Sequence, residues 1–559
     1  MKNRTKGTSY KTYGAVGYAP MGMDCRVGAK GFSYLENLYI DREFGDGALE
    51  SIPGFRRIYS FSGRVNGIYC LQDSVFVHSG EGLYRFDKDD RNDLRGLAPL
   101  LTLADRESCG IVAGGGLIIS DGERLYRVTH DGRFNLISDC YEIAGCRSMA
   151  VLGDRLMLAA HPDRPERIIS LRQSGDENYS EEGFMPFSVP DVVRTVLVYE
   201  NMLWCFGDGG VRRYRLEDNR LIHDSQICGA NVVGSATCMG DRVYYMTHGG
   251  LYSHKSGECL ASGVNSLLLG AESEIKMTVF RGYLLLYSSD EIFLYDGKEN
   301  WFCLRGVGCY RGDRRVYRYS DTAPEGLTIY DKIGEATEGE VISRITESGE
   351  MQFFVEEGGI KYSVYPTEEY RGGEYFAAER LATDGKLLYF GTATGDLCIF
   401  NNDMRGQPPI RISSQDGFDA EEYRLYYGRE LHPDFYSFAG HAPCYMLVTQ
   451  DDEGGMPGQR KRSAVGSLTL RCKSFIRSSM TLEVSCDGRR GQAERLCADR
   501  GGFLDADFSR PALAVEENPS FSLSSDTGYY TRKRISVYSK DFGSPMGIYF
   551  IGYKFRAKK

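Results

Sequence analysis

Three histidines, His78, His161 and His248, each follow a short apolar run and stand just before or within a turn. In a repeated unit that placement brings equivalent residues to one side of the molecule, where imidazoles could bind a transition metal or move protons. No carboxylate recurs beside them at a fixed offset, so all three are expected to be rim residues near turns. Asp451-Asp-Glu453 ahead of Gly454-Gly455 could offer oxygens to Ca²⁺, as could Asp87-Lys-Asp-Asp-Arg-Asn-Asp93. Neither has EF-hand ligand spacing, and exposed acidic loops are the expectation for both. Arg460, Lys461, Arg462, Arg471, Lys473, Arg477, Lys554, Arg556, Lys558 and Lys559 make the C-terminal region locally basic. Such a face could meet DNA or an acidic partner, a solvated strand face being the plainer reading. Gly114-Gly-Gly and Gly207-Asp-Gly-Gly are turns rather than phosphate cradles, because neither opens a helix. There is no serine elbow, HExxH or recurring carboxylate pair. No catalytic, cofactor-binding or metal-binding residue is therefore assigned, no cofactor is expected, and the protein is expected not to be an enzyme.

The elements that would position these residues repeat along the chain. Asp73-Ser-Val-Phe-Val-His-Ser-Gly-Glu-Gly-Leu-Tyr-Arg-Phe-Asp87 places two β-branched and aromatic runs around a glycine turn, the pattern of a β-hairpin. Related hairpins begin their apolar runs at Leu117, Leu156, Leu203, Val243, Leu284 and Leu387. Counted from Val75, the spacings are 42, 39, 47, 40, 41 and 103 residues. Strand-only self-similarity near 40 residues is the signature of a β-propeller, since a single blade leaves both faces wet until neighbours stack on it. About seven blades are expected, with six or eight as alternatives. The long gap before Leu387 contains strand–turn–strand–turn–strand over Gly339–Val364, either an extra blade or an inserted hairpin.

The chain of 559 residues is too long for one core. Its formal charge of −10 gives no general affinity for nucleic acid, and no apolar run is long enough to cross a bilayer as a helix. The first residues are basic with no apolar stretch behind them, unlike a signal peptide. Sixteen cysteines fall singly within strand-like runs, which points to reduced, buried thiols and assembly in a reducing cytoplasm.

The expected architecture is all-β, a propeller followed by a β-sandwich-like module. Residues 1–50 read as an extended N-terminal arm with Leu38-Tyr-Ile40 as a candidate ring-closing strand, 51–410 as the propeller, 411–424 as a linker and 425–559 as the module. Residues 173–189 read as an exposed excursion.

Glu36-Asn-Leu-Tyr-Ile-Asp41, followed by Ala48-Leu-Glu-Ser-Ile-Pro-Gly-Phe-Arg-Arg57, resembles the opening of propeller proteins encoded among tailed-phage and prophage structural genes. The packaged-DNA stabilisation proteins of short-tailed phages are similar there. Gly385-Lys-Leu-Leu-Tyr-Phe-Gly-Thr-Ala-Thr-Gly-Asp-Leu-Cys-Ile-Phe400 resembles their last blade, and Gly547–Ala557 the β module that follows. The resemblance implies a virion structural protein at the head–tail junction or tail, made in the host cytoplasm and binding other virion proteins as a homo-oligomeric ring. It implies no membrane and leaves direct nucleic-acid contact open. The competing expectation is a propeller that binds or acts on glycans.

Overall fold

Runs such as Gly116-Leu-Ile-Ile-Ser120 and Leu125-Tyr-Arg-Val-Thr129 pair with their chain neighbours because short glycine-containing turns reverse the chain between them. Gly114 and Gly115, both at positive φ, make one such turn. The computed structural model describes residues 9–13, 32–40, 48–52, 55–88, 97–174, 178–257, 259–260, 275–288, 291–298, 301–305, 308–311, 314–324, 326–337, 341–345, 351–371, 374–400, 445–449, 451, 453, 456–473, 479–497, 520–523, 528–539 and 547–557. The predicted linker, 411–424, lies outside the described residues, as do 425–444 of the predicted module.

Successive antiparallel sheets follow one another along the chain. Sheet I holds Val65–Leu71, Ser74–Ser79, Gly82–Asp87 and Leu101–Thr102; sheet II runs from Cys109–Ala113 to Phe134–Ser138; sheet III from Ser148–Leu152 to Asn178–Ser188. Sheet IV runs from Val193–Tyr199 to Arg220–Cys228, sheet V from Val232–Met239 to Gly250–Ser253, and sheet VI from Lys276–Phe280 to Trp301–Arg305. Sheet VII orders Arg380–Thr383, Leu388–Gly391, Asp396–Phe400 and, from the far end of the sequence, Phe55–Ser60. The first strand of each sheet lies against the first strand of the next, and that of sheet VII against Val65–Leu71, so the series closes into a ring. Apolar residues fill the space between neighbours: Leu71, Phe76 and Leu83 of sheet I pack with Leu117, Ile119 and Val128 of sheet II, and Tyr389 and Leu397 of sheet VII with Val65 and Val75 of sheet I. This is β-propeller packing. Val75, Leu117, Leu156, Leu203, Val243 and Leu284 are all fully buried in second strands.

Three expectations are corrected. The ring is closed by Phe55–Ser60 pairing with Asp396–Phe400, not by Leu38–Ile40, which pairs with Leu49–Ser51. Ser60 Oγ donates to the buried Asp396 at 2.8 Å, and Gly395 (φ 86°) turns where a Cβ would collide with the Phe61 and Gly63 carbonyls. Residues 173–189 are not an excursion: Asn178–Ser188 is the outer strand of sheet III, half solvated and therefore polar. The described parts of residues 1–50, expected as an extended arm, are strands paired with the rest of the chain. Phe32–Glu36 pairs in parallel with sheet VI through Glu36 and Cys303, and antiparallel with Tyr445–Thr449.

One nine-stranded sheet therefore runs from sheet VI through Phe32–Glu36 into Tyr445–Thr449, Lys533–Ser539, Ser479–Cys486 and Arg489–Cys497. A second sheet orders Leu38–Ile40, Leu49–Ser51, Gly547–Ala557, Lys461–Lys473 and Ser520–Leu523, with Ser9–Tyr13 on Gly547–Ala557 and Tyr529–Tyr530 on Lys461–Lys473. Leu468, Leu470 and Tyr553 of the second sheet share one core with Leu482, Val537, Leu447 and the propeller's Leu284 and Phe302. The long gap is an insert between sheets VI and VII. Gly308–Arg311 pairs with Glu374–Ala377 as a stalk, and four strands between Arg314 and Arg371 form a sheet around Tyr317, Tyr319, Val355 and Val364. Because the first strands of sheets VI and VII still touch, the insert stands outside the ring.

Candidate functional site at the axial mouth

The first strands lie side by side round the ring, and residues at the heads of several of them meet at one rim. Glu107, two residues ahead of sheet II's first strand, accepts from Lys276 Nζ at 2.8 Å and pairs with Arg380 at 3.0 Å. Lys276 and Arg380 open the first strands of sheets VI and VII. Going round the ring, sheets II and VI are separated by sheets I and VII, and sheets II and VII by sheet I, so these ion pairs join sheets that are not neighbours. Burial raises the pKa of the Glu107 carboxyl. The Lys276 ammonium bonded to it, with Arg380 and Arg64 nearby, outweighs that and holds it below the ordinary carboxylate range.

A second layer fixes this one. Arg64, at the head of sheet I, pairs with Glu379 at 2.6 Å, and the Asn66 amide donates to Asp105 at 2.8 Å. Arg380 Nε also donates to the Asn66 carbonyl at 3.4 Å, and Tyr69 hydroxyl meets Ser108 Oγ at 2.9 Å. Burial, reinforced by Cys109, raises the Tyr69 phenol pKa far above its usual range, so it serves as a neutral hydrogen-bonding group. The mouth is thus a set of charges paired with one another between different sheets. Its key residues escaped the sequence reading because Glu107, Lys276 and Arg380 do not recur at a fixed offset; their only common signal is position at or just before a first strand.

The three histidines end second strands at this same rim but in separate sheets, I, III and V, and are not brought together. His78 is buried within its strand, and burial lowers its pKa. His161 is buried too; its Nε2 donates to the Tyr141 carbonyl at 3.1 Å while Nδ1 accepts from Asp163 N–H at 3.2 Å. His248 is exposed in its turn. Asp451 and Glu453 are each ion-paired, with Arg534 at 2.9 Å and Arg532 at 3.0 Å, and Asp87 accepts from Ser74 Oγ at 2.9 Å. Among the described residues no group of three His, Cys, Asp or Glu is placed to hold a metal ion. Cys146, Cys205, Cys398 and Cys472 are buried thiols outside any disulfide, and burial raises the Cys146 and Cys472 pKa values to about 12.

The basic residues divide. Lys461 is fully buried, its ammonium donating to the carbonyls of Met456, Gln459 and Thr531 at 2.8, 3.0 and 3.0 Å. Lys533 is buried as well; its Nζ donates to Ser463 Oγ at 2.7 Å and lies over the rings of Tyr530 and Tyr553. Arg462, Arg471, Lys554 and Arg556 are exposed.

No protein-family model and no curated protein matches the chain. Solved structures similar to it include the WD40 domain of Neurospora crassa Pan2 (10% identity, 58% of this chain and 98% of that one, TM-score 0.31). Saccharomyces cerevisiae Sqt1 is another (11% identity, 62% and 99%, TM-score 0.37), as is the computationally designed Ika8 protein (9% identity, 62% and 99%, TM-score 0.34). These likenesses concern fold alone; the propeller assignment rests on the sheet order and its closure.

Proposed function

We propose that this chain is a structural scaffold of a tailed-phage or prophage-derived particle, a seven-bladed propeller with a sandwich-like C-terminal module. In this reading it contacts neighbouring virion proteins at the head–tail junction or tail, works in several copies, and performs contact rather than chemistry. The observation that carries the reading is the nine-stranded sheet that continues from sheet VI through Phe32–Glu36 into the C-terminal module. A connection made of paired strands and a shared core holds two broad surfaces at a fixed angle, as a load-transmitting spacer requires and a freely linked domain pair does not provide. The paired charges of the axial mouth and the outward insert add recognition surfaces to that body. The test is mass spectrometry of particles purified after inducing the complete phage genome. The reading expects the chain in the particles at a fixed ratio to the other structural proteins. Recovery of the chain only as free monomer, with binding on a glycan array, overturns it.

A further inference from the structure

Arg462 and Arg556 are directly opposite each other on neighbouring strands of the C-terminal module, and Tyr529 is opposite Arg462 on the other side. All three are exposed, and Lys554 lies two residues from Arg556 on the same face. Like charges directly opposite in a sheet repel and destabilise it. Among the described residues neither arginine has a carboxylate within ion-pair distance. Arg471, farther along the same strand, lies over the ring of Tyr549, at 5.6 Å. Residues 445–559 hold nineteen basic and thirteen acidic side chains, a formal charge of +6 in a chain of −10 overall.

The complement is in the same molecule. Residues 308–377 hold fourteen acidic and eight basic side chains, a formal charge of −6. The hairpin tip of this insert, Glu356-Glu357-Gly358-Gly359-Ile360, is exposed throughout, with both glycines at positive φ. Glu357 is steadied by the Tyr319 hydroxyl at 2.8 Å, whereas Glu356 has no ion-pair partner among the described residues. The insert also bears exposed Ile329, Ile333, Ile342, Ile360 and Tyr365, five of the molecule's exposed large apolar side chains. Carboxylates beside aliphatic groups at a narrow tip match guanidinium groups beside a tyrosine, since arginine takes carboxylates in a two-point fork and its plane and the phenol ring cover apolar contacts.

We propose that the Arg462–Arg556 strip is a docking site for the acidic hairpin tip of a second copy of this chain. Tip and strip lie on different elements, so the contact is head-to-tail: each copy offers its tip to one neighbour and its strip to another, and the series closes into a ring if the rotation permits. The inference rests on the scaffold reading and names the contact between copies.

Sedimentation velocity of the full chain at about 50 mM and about 500 mM salt tests it, because such a contact is screened between those conditions. The wild type is expected to associate at low salt and at least tenfold more weakly at high salt. Arg462→Glu with Arg556→Glu, and separately Glu356→Lys with Glu357→Lys, should each remain monomeric with unchanged circular dichroism. An equimolar mixture of the two should associate although neither variant does alone, since the intact tip meets the intact strip and the reversed tip the reversed strip, and a chain carrying both reversals should likewise associate. Variants that associate like the wild type overturn the proposal. So does a monomeric wild type whose strip instead binds a labelled oligonucleotide, lost in the arginine variant. A monomeric wild type that is still found in purified particles overturns this contact and leaves the scaffold reading standing; head-to-tail association in a chain absent from particles does the reverse.

Discussion

Lys533 shows how a single residue's chemistry is set by the sheets around it. It is buried between the two sheets of the C-terminal module, against the Tyr530 and Tyr553 rings, and burial lowers its pKa to about 8, the nearby Cys486 acting the other way. A lysine whose folded pKa lies below its unfolded value binds fewer protons folded than unfolded between those two values. Stability therefore rises with pH across that window, and the burden of the desolvated ammonium is felt in full below it. Between pH 7 and pH 9.5 this group is expected to add about 2 kcal/mol of stability. Denaturant midpoints should show that rise in the wild type and lack it in Lys533→Met; parallel pH profiles for the two proteins would remove lysine desolvation as the cause. Residue-level roles of this kind were only partly legible in the sequence. The histidines were expected near turns; His161 and His248 follow their strands, whereas His78 lies within Ser74–Ser79 and is buried there. The basic stretch was not resolved, since Lys461 and Arg462 are adjacent, yet strand alternation buries one under three carbonyls and leaves the other in solvent. Glu107 and Lys276 form a contact over 169 residues, which no local pattern announces.

At the scale of elements, the hairpins were legible because period-two alternation and glycine turns are written within a dozen residues. The ring-closing strand was misplaced for a physical reason. Leu38-Tyr-Ile40 is the more apolar segment, but a closing strand is the outermost of its sheet and one side of it faces water. Phe55–Ser60 takes that position, with Ile58 and Tyr59 half-buried and Ser60 exposed. Leu38 and Tyr39 are apolar because they enter the core shared with the C-terminal module. The insert has its own small core, and its stalk ends in the paired residues Arg311 and Glu374. Replacing 312–373 with Asn-Gly joins those partners by a two-residue hairpin turn. The ring should keep its cooperative melt, with the midpoint within a few degrees of wild type because the loop-closure change is small. Loss of the transition would make the insert part of the propeller core, contrary to this topology.

For the molecule as a whole, the ring and the C-terminal module form one body because the N-terminal strands are woven through both. Phe32–Glu36 joins sheet VI to Tyr445–Thr449, while Leu49–Ser51 and Ser9–Tyr13 pair with Gly547–Ala557. This weave was not legible in the sequence, since pairing across more than 400 residues leaves no periodic trace. Rigidity follows from the weave, and rigidity is what the proposed scaffold role requires. Single-particle cryo-electron microscopy of the purified full chain tests that link most directly. The account predicts one class of particle, a seven-bladed ring with the module fixed at the outer edge of the sixth sheet. Rings with the module in many orientations, or a module detached from that edge, would contradict it.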